Sequence, residues 1–451
     1  MKTKRVIATS EFRCTQPTSL LNFHANDRAI VIGRKGTKSE TAIGLLGKVT
    51  ESSTTSSVLD AGVWLDLSFP HVIGIFGSRG SGKSFDLGVI VESLAGLGPH
   101  TATPHSSTVI FDVQDQFWTL NNLPDSSLPE DAEHLSTLKT WGIESRSAPK
   151  VVLWAPPNYR TPLRGTQTLE ISPADLTPDD WLTLLEIDRF SSQGQALLTL
   201  LRGYAGETPG QLARRCLPSD LLASFQGSSL EALRWRLESL AGSGLIGNAG
   251  LPIEQFLRPD QTSVVLMRQL PEALRALLVG VLTRLLAERM SYHHQERRMA
   301  RRQHSDTAAA SALPDRLWIF LDEAHVVVPA GGRTAATDAV IDYVKRGRDA
   351  GLSFVFATQQ PSAVDTRLMS QVDITLTHFL GFDTDLQAAL ARMPTLATVT
   401  YDIGASKGVG LASVLRLLEP GQCAVADSSS GRVFLAKIRP RATAHGGNTP
   451  T

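Results

Sequence analysis

Residues 77–84 read Gly77-Ser78-Arg79-Gly80-Ser81-Gly82-Lys83-Ser84, the spacing G-x-x-x-x-G-K-[ST]. Glycines at these places let the chain curl until successive backbone N–H groups face inward. With the start of a following helix they form a nest for anionic oxygens. Lys83 then reaches the outer phosphates of a bound nucleotide, and the Ser84 hydroxyl ligates a divalent cation. Gly77, Arg79, Gly80, Ser81, Gly82, Lys83, Ser84 and the adjoining Phe85 are assigned to the nucleotide, which points to ATP and Mg2+.

A second reactive group closes the apolar run Leu317-Trp318-Ile319-Phe320-Leu321, which ends in Asp322-Glu323. The aspartate suits the metal's water shell, and the glutamate beside it suits the attacking water as general base. Phosphoryl transfer also calls for a positive charge on the outermost phosphate. Arg346 and Arg348 lie just before the buried run Leu352–Thr358, and Gln359 follows it at a strand end, where an amide can touch that phosphate.

These groups need a scaffold that holds strand ends side by side. His71–Phe76, Thr108–Asp112, Val151–Ala155, Ser263–Met267, Leu317–Asp322 and Leu352–Thr358 are short apolar runs alternating with helical stretches. That pattern indicates an α/β fold with a mostly parallel sheet. Residues 172–260 carry helical periodicity without a strand and read as a helical insertion dividing the core into 69–171 and 261–440. Residues 1–68 read as a small N-terminal β-domain, with strands at Ala29–Gly33, Ala42–Val49 and Val63–Leu67, and 441–451 as a disordered tail.

Composition narrows the class. The chain has 451 residues, with 44 Lys plus Arg against 44 Asp plus Glu, so bulk attraction to nucleic acid is not available to it. Any positive field must be local. Three widely spaced cysteines, Cys14, Cys216 and Cys423, suit a reducing cytoplasm. No signal peptide or membrane-spanning segment is expected, because Ala273–Ala287 is interrupted by Arg275, Gly280, Thr283 and Arg284.

Taken together, GSRGSGKSFDLGVIVESL (77–94), VIFDVQDQF (109–117), LWIFLDEAH (317–325), GRDAGLSFVFATQQP (347–361) and SQVDITLTHFL (370–380) resemble the HerA/FtsK group of ring-forming P-loop motors, on the HerA-like side. The likeness covers about residues 69–440. It implies a RecA-like (ASCE) core, a catalytic Glu323, a homo-hexamer around DNA and ATP between subunits. It implies Arg348 as a finger reaching the neighbouring subunit's nucleotide and Gln359 as a γ-phosphate sensor. Residues 1–68 correspond to a shortened barrel. The strand end Asp112-Val113-Gln114-Asp115-Gln116-Phe117 departs from the family, with Gln116 where an acid is usual. Asp322-Glu323-Ala324-His325 spells a helicase-box tetrapeptide, but its companion motifs are absent, and His325 reads as an ordinary residue at a helix start.

Two jobs fit such a ring. One is a DNA translocase or helicase-type motor working with a nuclease or NAD-hydrolase effector, in DNA processing or anti-phage defence. The other is an ATP-dependent scaffold that holds and regulates an effector without processive movement. The most basic stretch, Arg284–Arg302, reads foremost as a solvated helix face, and Val328–Thr334 is the first candidate for a pore loop.

Overall fold

The computed structural model describes residues 12–15, 23–24, 28–33, 42–53, 58–202, 206–217, 222–303, 313–394, 399–428, 431 and 433–446. The N-terminal strands are β1 (Phe12–Cys14), β2 (Phe23–His24), β3 (Ala29–Ile32), β4 (Ile43–Val49), β5 (Ser52–Ser53) and β6 (Gly62–Asp66). The first half of the core contributes β7 (Val72–Phe76), α1 (Lys83–Leu94), β8 (Ser106–Asp112), α2 (Pro129–Trp141), β9 (Val151–Ala155) and β10 (Gln167–Thr168). Helices α3 (Pro178–Leu184), α4 (Ser192–Arg202), α5 (Pro209–Arg215), α6 (Gly227–Ala241) and α7 (Ile253–Phe256) follow. The second half runs through β11 (Thr262–Leu266), α8 (Glu272–Arg302), β12 (Arg316–Leu321), α9 (Ala324–Val327), α10 (Thr337–Ala350) and β13 (Leu352–Thr358). The chain closes with α11 (Thr366–Met369), β14 (Ile374–Thr377), α12 (Asp383–Leu390), β15 (Thr400–Ile403), β16 (Ser406–Gly410), α13 (Leu411–Leu415), β17 (Gln422–Asp427) and β18 (Val433–Ile438).

One 14-stranded sheet has the order β10-β9-β11-β8-β12-β13-β7-β14-β17-β18-β4-β6-β3-β2. From β10 to β14 every neighbouring pair is parallel. Helices cover both faces of such a sheet, so its strands are apolar throughout: all seven residues of β13 and all seven of β8 are buried. Alternate residues serve two cores. Ile319, Leu321, Phe354 and Phe356 pack towards α8, α10 and the helices α3–α6; Trp318, Phe320, Val355 and Ala357 pack towards α1.

The strand carrying the phosphate loop, β7, is separated from the acidic strand, β12, by β13 alone. Three consecutive sheet positions therefore deliver the loop, the Gln359 amide and the acidic pair to the same carboxyl edge.

The small N-terminal β-region expected from the sequence is present; its barrel form is corrected, because its strands are hydrogen-bonded to the core. β4 pairs with β18 and carries β6, β3 and β2 as an extension of the large sheet, while β1 lies between β15 and β5 in a four-stranded sheet drawn from both ends of the chain. Among the described residues neither arrangement is a closed barrel.

The tail expected to be disordered from 441 is ordered as far as 446. Arg439 and Arg441 are fully buried, and Glu92 accepts from the Arg439 guanidinium (2.9 Å), the backbone N–H groups of Ala442 and Thr443 (2.9 Å each) and the Thr443 hydroxyl (2.8 Å). Burial alone would raise the Glu92 carboxyl; Arg439 and Arg441 bring it below its ordinary value. A buried carboxylate must be paired, and this one is paired by the tail. Residues 447–451 lie outside the described residues.

Candidate active site

The strand β7 feeds directly into the glycine loop, and α1 begins at Lys83. Gly82 caps that helix with φ 120°, a conformation only glycine holds without strain, and offers no side chain to the first-turn N–H groups. Those donors remain for an anion. Gly77 is required for space: a Cβ there would lie 2.4 Å from Ser81 Oγ and 2.8 Å from His378 Cβ. The loop is tied to its surroundings by Ser78 N–H on Phe379 O (2.8 Å) and Gly421 N–H on Ser81 O (3.0 Å).

Lys83 is buried and donates to Ser78 O at 3.0 Å, spanning its own loop. Burial lowers its ammonium pKa, opposed by the charges of Glu323, Asp322 and Asp86. The Ser84 hydroxyl donates to Asp322 Oδ2 at 3.3 Å, bringing the two expected cation ligands together. Asp322 is buried at the end of β12, and its carboxyl is pushed up to about 6, first by burial and then by Glu323. A second carboxylate beside a buried one creates a site that a divalent cation relieves, so hydroxyl, carboxylate and lysine fit a magnesium–phosphate group.

Glu323 holds a left-handed backbone (φ 52°), rare for a residue with a Cβ, which turns the chain sharply off β12. Its Oε1 accepts from Gln359 Nε2. Its Oε2 is buried without a hydrogen bond, with His325 Nδ1 3.5 Å away. Gln359 is placed by register: Thr358 pairs with Phe76, which sets Gln359 level with Gly77. The structure thus brings Lys83, Ser84, Asp322, Glu323 and Gln359 together, with Gly77, Gly80, Ser81 and Gly82 as the loop itself.

Arg79 is exposed on the loop, and Phe85 packs its ring edge-on to His134 and His445. Arg348 is not brought to this site. It is exposed in the last turn of α10, ahead of β13, at the sheet edge opposite the phosphate loop. Seven residues of strand span about 20 Å, so Arg348 is out of reach of the phosphate loop of its own chain. Arg346, its neighbour, pairs with Asp342 at 3.8 Å.

Three groups escaped the sequence reading. His325 was read as ordinary, yet its Nδ1 lies 3.1 Å from Thr358 Oγ1 as well as facing Glu323. His378 and Asp86 form a buried pair at 2.7 Å beneath the loop, and the other ring nitrogen of His378 reaches Gln422 O at 2.9 Å. Asp112 ends β8 beside β12, its carboxyl pushed up to about 7, chiefly by burial. The only signal was a polar residue closing an apolar run, which does not say where the chain turns next.

The basic stretch of α8 is largely tethered. Arg284 reaches Asp180 at 3.4 Å, Arg289 reaches Glu254 at 2.8 Å and Arg297 pairs with Asp315. In the pore-loop candidate, Arg333 pairs with Asp338, while Gly331 and Gly332 face open space. No described helix is long and apolar enough to cross a membrane.

The family model described as the helicase HerA central domain matches residues 46–286. Among solved structures, the plasmid coupling protein TrwB with a non-hydrolysable ATP analogue is 14% identical. The match covers 85% of this chain and 88% of that one, with a TM-score of 0.50. TrwB with ADP and Mg2+ is 13% identical over 84% and 88%, also at 0.50. VirB4 of Thermoanaerobacter pseudethanolicus is 14% identical over 89% and 98%, at 0.50. These likenesses show a shared fold. No curated protein sequence is significantly similar to the chain.

Proposed function

Because the chain belongs to the HerA central-domain family of P-loop ATPases, we propose that it hydrolyses ATP with Mg2+ in a homo-hexameric ring to move DNA in concert with an effector protein. The observation that carries the reading is the convergence of Lys83, Ser84, Asp322, Glu323 and Gln359 from β7, β12 and β13.

The loop N–H groups and Lys83 hold the phosphates, and Lys83 exchanges Ser78 O for a phosphate oxygen. Ser84 and Asp322 would hold the magnesium ion, which when bound offsets charge on the phosphate oxygens. Gln359 fixes one Glu323 oxygen, and the free Oε2 accepts a proton from the attacking water. Gln359 joins the general base to the sheet position nearest the loop, so its amide registers the presence of the outermost phosphate. Arg348 completes the site from a neighbouring subunit, which supports the ring: within one chain it is stranded at the far edge. In a chain of zero net charge the field that meets DNA is local, and in the candidate pore loop it comes from Arg333, which would exchange Asp338 for a DNA phosphate. The TrwB structures with an ATP analogue and with ADP and Mg2+ support the choice of ligand through the shared fold. The effector, a nuclease or an NAD hydrolase, rests on the family resemblance.

Phosphate release measured with and without duplex DNA tests the proposal. Wild type is expected to be stimulated by DNA, to form hexamers by light scattering with ATP present, and to lose turnover on Lys83→Ala. A monomer under those conditions overturns the ring. A hexamer whose turnover ignores DNA points instead to a scaffold for the effector.

A further inference from the structure

The segment 439–446 runs along α1 and ends beside the phosphate loop. Its root is fixed by the buried Glu92–Arg439–Arg441 group. Farther on, Arg146 N–H donates to Ala442 O (2.8 Å), Ala444 N–H to Asn122 O (3.0 Å), and His134 Nε2 lies 2.8 Å from Arg441 O. The last anchored side chain is His445, whose ring packs edge-on to Phe85 at 5.5 Å. His134 meets the other side of this cluster, 6.2 Å from the Phe85 ring. All three rings are half-buried, so each keeps surface facing outward.

The position matters because of the polarity of a phosphate loop. Lysine and the acidic strand end mark the outer phosphates; the helix N-terminus marks the inner one. A bound nucleotide's sugar and base therefore leave past the first turn of α1, where Phe85 directly follows Ser84. The imidazole of His445 is suited to stacking there. Arg441 donates to its Nδ1 at 3.1 Å, and a guanidinium has no acceptor, so the ring proton sits on Nε2. Burial, then the charges of Arg441 and His134, hold His445 down to about 3, leaving it an uncharged aromatic plane at neutral pH. The arrangement is costly to build for packing alone: two buried arginines and a buried glutamate fix eight residues of chain whose final contact is one ring.

We infer that Phe85, His445 and His134 form the wall that receives the nucleobase, and that the 439–446 strap exists to place His445 in it. The inference rests on the nucleotide reading of the loop and names the recognition of the nucleotide's other end. It also separates two energies: the loop binds phosphates, and the strap binds the base.

Inorganic tripolyphosphate, which carries the phosphates without a base, tests this against ATP. Affinities of both are measured with Mg2+ by calorimetry on the full chain. His445→Ala is expected to weaken ATP about tenfold, the range of one lost base–aromatic stack. Tripolyphosphate should change less than about twofold on the same scale. His445→Phe should restore ATP binding. Phe85→Leu, which keeps apolar volume and removes the ring, should show the same split and decides the matter if His445→Ala fails to fold. Equal losses for both ligands, or no loss for either, overturn the inference. Lys83→Ala weakens both ligands if the loop binds phosphate; a wild type that binds neither overturns the nucleotide reading itself.

Discussion

Two neighbouring strands, β12 and β8, end at the same sheet edge in acidic residues, yet the two ends are built for opposite purposes. At β8, Asp112 spends both oxygens on its own chain, accepting from Gln116 N–H (3.0 Å) and Phe117 N–H (2.7 Å). Asp115 accepts from the Tyr159 hydroxyl at 2.5 Å. At β12, Asp322 Oδ1 accepts from Glu323 N–H (3.0 Å) and Oδ2 from the Ser84 hydroxyl (3.3 Å), with Lys83 close by, and Glu323 keeps one buried oxygen without a hydrogen bond. Each end keeps one buried carboxylate oxygen without a hydrogen bond, Asp115 Oδ1 and Glu323 Oε2; what differs is the neighbour, the Tyr159 hydroxyl at β8 and the Ser84 and Lys83 side chains of the phosphate loop at β12. The two ends are therefore separated by what each acid faces and not by how many of its oxygens are hydrogen-bonded.

The largest effect expected from this contrast is on Glu323. Glu323→Gln should lower turnover by at least about 100-fold while nucleotide affinity stays within a few-fold, as read by phosphate release and equilibrium binding. Gln359→Ala, which frees the other Glu323 oxygen, should lower turnover by roughly ten- to a hundredfold in the same assay. The β8 end should respond in stability instead. Asp112→Ala strands two backbone N–H groups and should cost roughly 2–4 kcal/mol in denaturant unfolding, with turnover of the folded fraction within about threefold. A turnover loss matching that of Glu323→Gln would break the comparison.

The Asp112 carboxyl sharpens it through pH. Its folded value of about 7 lies above the ordinary 3.8, so its stabilising contribution is complete below about pH 4 and is lost as pH rises through about 7. Relative to Asp112→Asn, the wild type should lose roughly 2–4 kcal/mol between pH 4 and pH 8, measured without nucleotide. The smallest effect is that of Tyr159→Phe, about 1 kcal/mol of stability with unchanged turnover.

Much of this was legible beforehand because it is local. The glycine loop, the apolar run into Asp322-Glu323 and the amide after β13 are contiguous stretches whose spacing carries their chemistry. Parallel strands buried on both faces write themselves as unbroken apolar runs, so the α/β core was visible. His325 was underrated because its partners, Thr358 and Glu323, meet it only when β12 and β13 are paired.

The sequence by itself determined the loop, the acidic pair and the α/β alternation, since each is set by neighbours along the chain. Only the tertiary structure decided which strand-end acid meets the phosphate loop, that Arg348 lies at the opposite edge of the sheet from that loop, and that residues 439–446 are ordered. The physical reason is the same in each case. The polar run Thr443–Gly446 has no local cause to order, and it does so here because Glu92, buried on a helix far along the chain, is paired by residues 439–443.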